Sequence, residues 1–489
     1  MAGIRVTLAR LNMVFAAGMR DWRVRLGGLL LAGVAAGLLI VMELALQDLL
    51  TRSMWRLTGL EDVPVRAVPL LLALAIVALA VARFASKIPS LEAAFIASAL
   101  ATAQLNGFAL GPLDSFDAVV FGFFAIWFAR RALDPKFQIL IPAVVFFGLA
   151  LVILQLPNIV HQRPGNWFLG LFGITRAVLI ALLVVNACRT LDKLRFFQSA
   201  FLVVATLSAS VAIVQFLAGY FLGYYFTLIQ PVEEAFKPTP LGFVMRASGF
   251  CITAQHMSGF LTFATPFALW RLSETWRVRD ALVVLILWIG ILFSWNFGAI
   301  FAAAAVGGLF LFLRWPNYTI HFLLFVPTLG ALMYFAGYAE LIYDLTFGDA
   351  GVIKGVDQRV TLFKLGLEQI DRDPWIGTGL QGFGDVHGNF WHRPVHNVLG
   401  QVGTELGLQG AIVFIAMLAT LITQTILLAG GPPSEARDLA RRMVLVYGGF
   451  LVLMQTEPML DHSNTWLMLG FGQAVVVLAS LRRAAPRSL

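Results

Sequence analysis

The chain has 489 residues, 59% hydrophobic and only 13% charged, with a mean hydropathy of +0.82, whereas an ordinary soluble protein carries roughly 25% charged residues. Its 35 Lys and Arg and 27 Asp and Glu are too few to coat a water-soluble body of this length, which excludes a soluble enzyme and makes lipid the solvent for most of the surface. The net charge of +8 does not mark a nucleic-acid binder, because the basic residues stand singly or in twos and threes between apolar runs.

A helix crosses a bilayer in about 20 apolar residues. In chain order the apolar runs predict spans near 26–46, 67–82, 91–111, 115–129, 138–156, 167–188, 196–222, 252–270, 281–295, 298–313, 318–338, 410–429, 443–456 and 464–481. The expected fold is all-α, a polytopic helical bundle of about 12–14 transmembrane helices. The stretch 281–313 is long for one span and short for two, and Asn296 with Gly298 at its middle favours a hairpin. The first run follows a basic stretch, as a signal peptide would. It spans residues 26–46 and lacks a small-residue cleavage site, so a retained span is expected.

Lys and Arg in short loops stay on the cytoplasmic side. Placing Arg20, Arg23 and Arg25 inside puts alternate loops there too, up to Arg437/Arg441/Arg442 and Arg482/Arg483/Arg487, and both termini become cytoplasmic; 23 of the 35 basic residues follow this rule. The others include Arg163, Arg176, Lys237, Arg246, Arg359 and Arg393, and they fall outside or in the membrane. Cys188 and Cys251 fall at opposite faces, so no disulfide joins them. The expected organisation is one integrated membrane domain: a bundle over 1–338 with an outer loop at 223–250, a long outer loop at 339–396, and the last spans over 397–489.

Loops of that length are usually functional or disordered, and Trp375, Phe383, Phe390 and Trp391 in the second argue against disorder. Within it, Val356 to Ile370 predicts an amphipathic helix on the membrane surface. Val360, Phe363, Leu367 and Ile370 form its apolar stripe, and Asp371 to Pro374 ends it. A glycine-rich stretch, Gly377 to Gly388, leads to His392-Arg393-Pro394-Val395-His396-Asn397. If a helix starts near His396, then Gly400, Gly403, Gly407 and Gly410 share an arc of roughly 80° with that histidine, and Glu405 faces the other way. Pattern alone reads this stripe as a close helix-packing surface with a polar anchor.

Arg359-Val-Thr-Leu-Phe-Lys, Asp373-Pro-Trp-Ile-Gly-Thr-Gly, His396-Asn397-Val-Leu and Glu405-Leu-Gly-Leu-Gln-Gly together resemble the signature region of the O-antigen ligase and polymerase family of bacterial envelope glycan transferases. Arg246-Ala-Ser-Gly-Phe resembles the segment after that family's first substantial outer loop. The specific likeness covers about 70 residues, a small share of the chain in motifs of this kind. Two places depart from the family's pattern. Asn296-Phe297-Gly298 stands where Ser-Arg-Gly is frequent, and Ala254-Gln255-His256 where Asn-Pro-Asn is frequent.

The resemblance implies a GT-C-like bundle in the bacterial inner membrane. It implies transfer of a glycan from an undecaprenyl-diphosphate carrier to a sugar hydroxyl at the periplasmic face, inverting, without metal or cofactor. As an O-antigen ligase the acceptor would be lipid A-core; as a polymerase of O-antigen or exopolysaccharide it would be another lipid-linked glycan. Fixed cations stabilise a departing lipid diphosphate, and the guanidinium fork suits phosphate. Arg246 and Arg359 are the first candidates for this, with Arg393 and Arg176 behind them. A base of near-neutral pKa activates the acceptor hydroxyl, which His396 suits, with Asn397 and Glu405 in support.

Alternatives remain. An outer carboxylate, Glu61, Asp62, Asp114 or Asp117, could serve as base instead, and the chain could be a protein O-glycosyltransferase. A non-enzymatic polysaccharide transporter or flippase would show repeats and midplane charges. Gly377 to Gly382 fits a dinucleotide pattern without the strand it requires, leaving at most a backbone nest for a diphosphate. Pro394 interrupts the helix that would align His392 and His396 for zinc.

Overall fold

The computed structural model describes residues 90–103, 109–110, 113–132, 139–160, 162–224, 236–239, 242–317, 352–460 and 462–484. The expected spans at 26–46, 67–82 and 318–338, the carboxylates Glu61 and Asp62, and the loop parts 225–235 and 339–351 lie outside the described residues.

The described helices are α1 (Leu91–Thr102), α2 (Ser115–Ala132), α3 (Ala143–Gln155), α4 (Pro164–Ala187), α5 (Leu191–Leu222), α6 (Ala254–Thr275), α7 (Val278–Phe293), α8 (Phe297–Arg314), α9 (Val352–Arg372), α10 (Val398–Ala429), α11 (Glu435–Leu453) and α12 (Ser463–Ala484). Two short antiparallel hairpins interrupt them, β1 (Ala109–Leu110) with β2 (Leu113–Asp114) and β3 (Phe236–Thr239) with β4 (Gly242–Met245). Asp114 is part of β2. Helix starts are written locally. Ser90, Thr190, Thr253, Asn296, Asn397 and Ser434 each accept a hydrogen bond from a first-turn amide, the usual answer to the orphan N–H groups there.

Six of these helices are long and apolar enough to cross a membrane: α3 with its 3-10 extension to Val160, α4, α5, α8, α10, and α12 to Arg482. The chain is therefore a multi-pass helical membrane protein. Other expected spans among the described residues are helical but shorter or more polar. The helices α1 and α7 have 12 and 16 residues, and α11 opens with Glu435, Arg437, Asp438, Arg441 and Arg442. Residues 281–313 form two helices, α7 and α8, with a turn at Ser294–Asn296, and both pack on α6.

The core lies where α5, α6 and α12 meet. Phe197 stacks on Phe471 with ring centroids 4.2 Å apart, and Phe201 meets Phe260 edge-on at 4.4 Å. Close approach of α12 to α4 needs glycine, since a Cβ on Gly470 would lie 3.0 Å from the Ala181 Cα. At one end of the bundle the charges pair off: Arg195 with Glu435, Arg442 with Glu274, Arg271 with Asp280 and Lys193 with Glu92. The other end carries Arg163 with Asp385, and Arg359 with Glu457.

The amphipathic α9 runs to Arg372, close to the expected end. Its Val360, Phe363 and Leu367 are exposed, while Leu362 is buried with Phe383 and Val395. Gly366 lets α9 approach α10, since its Cβ would lie 2.9 Å from Thr404 and Val395 methyls.

The expectation of one continuous helix from His396 is corrected in two ways. His396 precedes the Asn397 cap and is not on the helix. Gly407 (φ 69°, ψ −177°) breaks α10, in a region of backbone space essentially reserved for glycine. The break frees carbonyls, and the glycine-rich loop fills them: the Thr378 amide donates to the Thr404 carbonyl at 3.0 Å and the Gly379 amide to that of Glu405 at 2.7 Å. In return, the Leu408 amide donates to the Pro374 carbonyl at 2.7 Å. The side chains of Gln155 and Gln162 hold the loop's other side through the Leu380 amide and carbonyl. The Thr378, Gly379, Leu380 and Gly382 amides are thus used inside the protein, which weighs against reading the loop as a phosphate nest. A Cβ on Gly407 would collide with the Trp375 carbonyl. Gly407→Ala is therefore expected to destabilise the protein by about 1–3 kcal/mol from backbone strain alone, read as a fall in Tm, whereas Gly122→Ala, where a Cβ meets nothing, should not lower it.

Candidate active site

His396 is held by its neighbours in sequence. Val395 is buried under α9, and the Asn397 Oδ1 caps α10 by accepting from the Gly400 amide at 2.9 Å. The Asn397 Nδ2 donates to Gln455 at 2.9 Å, and the Val398 amide donates to the Met454 carbonyl at 2.9 Å. Asn397 is thus a cap and a tie, and it fixes His396 against the turn between α11 and α12.

That turn carries Glu457, whose side chain is 7% exposed and lies 3.9 Å from an Arg359 Nη. Arg246 leads from β4 toward α6; its Nε donates to the Ser294 carbonyl at 3.1 Å, and its charge is felt by Glu457. Asn296 neighbours the Glu457 carboxylate and donates to Ser258 at 3.0 Å. Burial pushes the Glu457 carboxyl up, against the downward pull of Arg359 and Arg246. Burial pushes the Arg246 guanidinium down, with Glu457 opposing and Arg359 adding to the fall. Arg393 is exposed, yet near enough to act on His396. Two guanidinium groups thus act on one carboxylate, and a third acts on the neighbouring His396, an arrangement that favours a bound anion.

His396 sits inside this field. Burial first, then Arg359 and Arg393, pushes its imidazole down to about 4, so the ring is neutral near pH 7. Its Nδ1 is buried and makes no hydrogen bond. A neutral imidazole with an unused nitrogen beside anion-seeking cations can take a proton from a hydroxyl as the other partner carries negative charge away.

Arg176 and Glu405 have different neighbours. Arg176 lies 12 residues into α4, about 18 Å along the axis. It donates to Asp117 at 3.0 Å, and Asp117 is 1% exposed. This pairing weakens both the reading of Arg176 as a diphosphate clamp and that of Asp117 as a base. Glu405 is buried and lines a cavity with Arg176, Gln381 and Gln401. The His462 ring, pushed down to about 4 by burial and then by Arg176, stacks on that of His256 at 4.0 Å.

Sequence reading missed Glu457, Gln455 and Asn296 as members of this group. The available signal was a carboxylate next to Pro458 in a short turn between two apolar runs, where orientation alone calls for no charge. Compared with known proteins, the chain matches no family model and no curated relative.

Proposed function

We propose that the chain is a GT-C-like membrane glycosyltransferase of the O-antigen ligase type. It moves a glycan from an undecaprenyl-diphosphate carrier to a sugar hydroxyl on lipid A-core, at the periplasmic face of the bacterial inner membrane. The observation that carries this reading is the neutral His396 beside the Arg246, Arg359 and Arg393 group.

In this reading the acceptor oxygen attacks the anomeric carbon and its proton passes to an imidazole nitrogen of His396. The bond from the anomeric carbon to the diphosphate oxygen breaks, and its electron pair leaves on the lipid diphosphate, where Arg359 and Arg246 hold the charge. Attack from the face opposite the leaving group inverts the centre. Glu457 keeps the two arginines from drifting apart when no anion is bound.

The test is a polysaccharide gel of a deletion strain. Lipid-linked polymer left unattached is the expected result. A product of single repeats would reassign the chain to a polymerase, and unchanged glycans would overturn the reading.

A further inference from the structure

The bundle end at which Arg271 pairs with Asp280 carries a cavity of about 310 Å3 between α5, α6 and α7. Leu202, Val203, Leu207 and Val283 form its apolar wall, and Arg271 and Asp280 are the charged residues of its lining. The order of the elements gives the cavity a direction. Arg271 stands in the last turns of α6 and Asp280 in the first turn of α7, so both lie at the α6–α7 turn. On α5 the lining runs from Ser199 to Leu207, about 12 Å along the axis, away from that turn: the opposite ends of α5 and α7 meet where Phe216 stacks on Phe293 at 3.9 Å. The cavity thus has a charged mouth and an apolar shaft.

The mouth is electropositive. The Arg271 Nε lies 2.9 Å from an Asp280 carboxylate oxygen, and the Arg279 Nε lies 3.7 Å from the same oxygen. Arg277 is exposed and precedes the first residue of α7 without a side-chain cap. Three guanidinium groups and the positive end of a helix therefore stand with one buried carboxylate. The next carboxylate, Glu274, is engaged by Arg442 at 3.1 Å. Beside the mouth, the exposed Trp276 meets Trp315 with ring centroids 5.8 Å apart, and tryptophans of this kind collect at the membrane–water interface, the depth of a phosphate headgroup. Along α7, Val278, Leu282 and Leu285 are exposed, an apolar strip on a helix that lines the cavity.

We propose that this cavity is a binding site for one anionic phospholipid, with its phosphate at Arg271, Arg277 and Arg279 and the start of an acyl chain along Leu202, Val203, Leu207 and Val283. Guanidinium forks suit phosphate, and the excess of positive charge selects an anionic headgroup over a zwitterionic one. The apolar shaft selects a lipid over a free phosphate ester, since it is the chain that gains by leaving water. The site lies at the bundle end away from Glu457 and goes beyond the transfer reading.

The test is native mass spectrometry of the full chain in a neutral detergent, titrated with phosphatidylglycerol, phosphatidylcholine of the same chains, and glycerol 3-phosphate. The parent is expected to hold one phosphatidylglycerol about tenfold more tightly than phosphatidylcholine, and to hold no glycerol 3-phosphate at the same concentrations. The joint variant Arg277→Gln with Arg279→Gln changes two exposed side chains and should lose about fivefold in affinity per arginine removed. Val203→Trp, at a half-buried position of the shaft, should lose binding by filling the space. Arg482→Gln removes an exposed arginine of α12 outside the lining and should bind phosphatidylglycerol as the parent does, which separates the site from general attraction to basic residues. The proposal is overturned if phosphatidylcholine binds the parent as tightly as phosphatidylglycerol, if glycerol 3-phosphate does so, or if the joint variant loses no more than Arg482→Gln. All these variants keep Arg246, Arg359 and His396, so binding of farnesyl diphosphate, a short stand-in for the lipid diphosphate proposed there, is expected in each; its absence from the parent would count against the transfer reading and not against the phospholipid site.

Discussion

His396→Ala is expected to lower transfer by about 10^2- to 10^4-fold, the usual contribution of a positioned acid or base, while farnesyl diphosphate binds as before. The split follows from the proposed roles: His396 would serve as the base, whereas the anion would be met by the arginines that act on Glu457 and His396, namely Arg246, Arg359 and Arg393. The pH dependence is more specific. The base works unprotonated, and with the imidazole pushed down to about 4, by burial first and then by Arg359 and Arg393, kcat/KM should stay flat below neutrality and fall only as pH drops through that value. A base so weak is poorly matched to work at neutral pH. In the proposed reading a bound lipid diphosphate would offset the two guanidinium charges, leaving burial as the main downward cause, and so raise the basicity in part; the acid limb of kcat should then lie at higher pH than that of kcat/KM. Arg359→Gln removes one cation and should move the kcat/KM limb upward. Full activity in His396→Ala, or a kcat/KM limb near pH 6.5 in the parent that Arg359→Gln leaves in place, would remove His396 from the chemistry.

The membrane class was legible from composition, and most helix positions from the length of the apolar runs, because in lipid each span must satisfy its own backbone and its pattern is local. Val356 to Ile370 was readable for the same reason and appears as α9. The break at Gly407 was not readable. Gly400, Gly403, Gly407 and Gly410 look alike at helical spacing, and only the loop at Pro374–Gly379, which supplies the hydrogen bonds at Thr404, Glu405 and Leu408, decides which one leaves the helix. Asn397 declared itself as a cap, since its partner is three residues away. The pairing of Arg176 with Asp117 was not readable, because the two are 59 residues apart in sequence. The weight of Glu457 was hidden for a similar reason: Arg246 and Arg359 reach it from separate elements.

Glu457→Ala should therefore be among the most destabilising single changes in the described part of the chain, at about 3–5 kcal/mol, because removing one partner of a buried ionic group leaves the others uncompensated. Arg246, buried and already pushed down by desolvation, loses the charge that opposes that fall, and Arg359 loses its ion-pair partner. Glu457→Gln keeps the shape and the contact with Asn296, so it should cost less. The diagnostic readout is a rescue. Farnesyl diphosphate brings negative charge to the same arginines, so it should raise the Tm of Glu457→Ala by more than it raises that of the parent, and should bind the variant more tightly once it is folded. A purely structural carboxylate would give the loss of Tm without the larger rescue. That outcome would leave Glu457 a packing group and separate the two arginines from any common anion. With the expected rescue, Glu457 serves as the internal stand-in for the diphosphate, holding Arg246 and Arg359 in place between turnovers and being relieved of one of them each time a lipid carrier arrives.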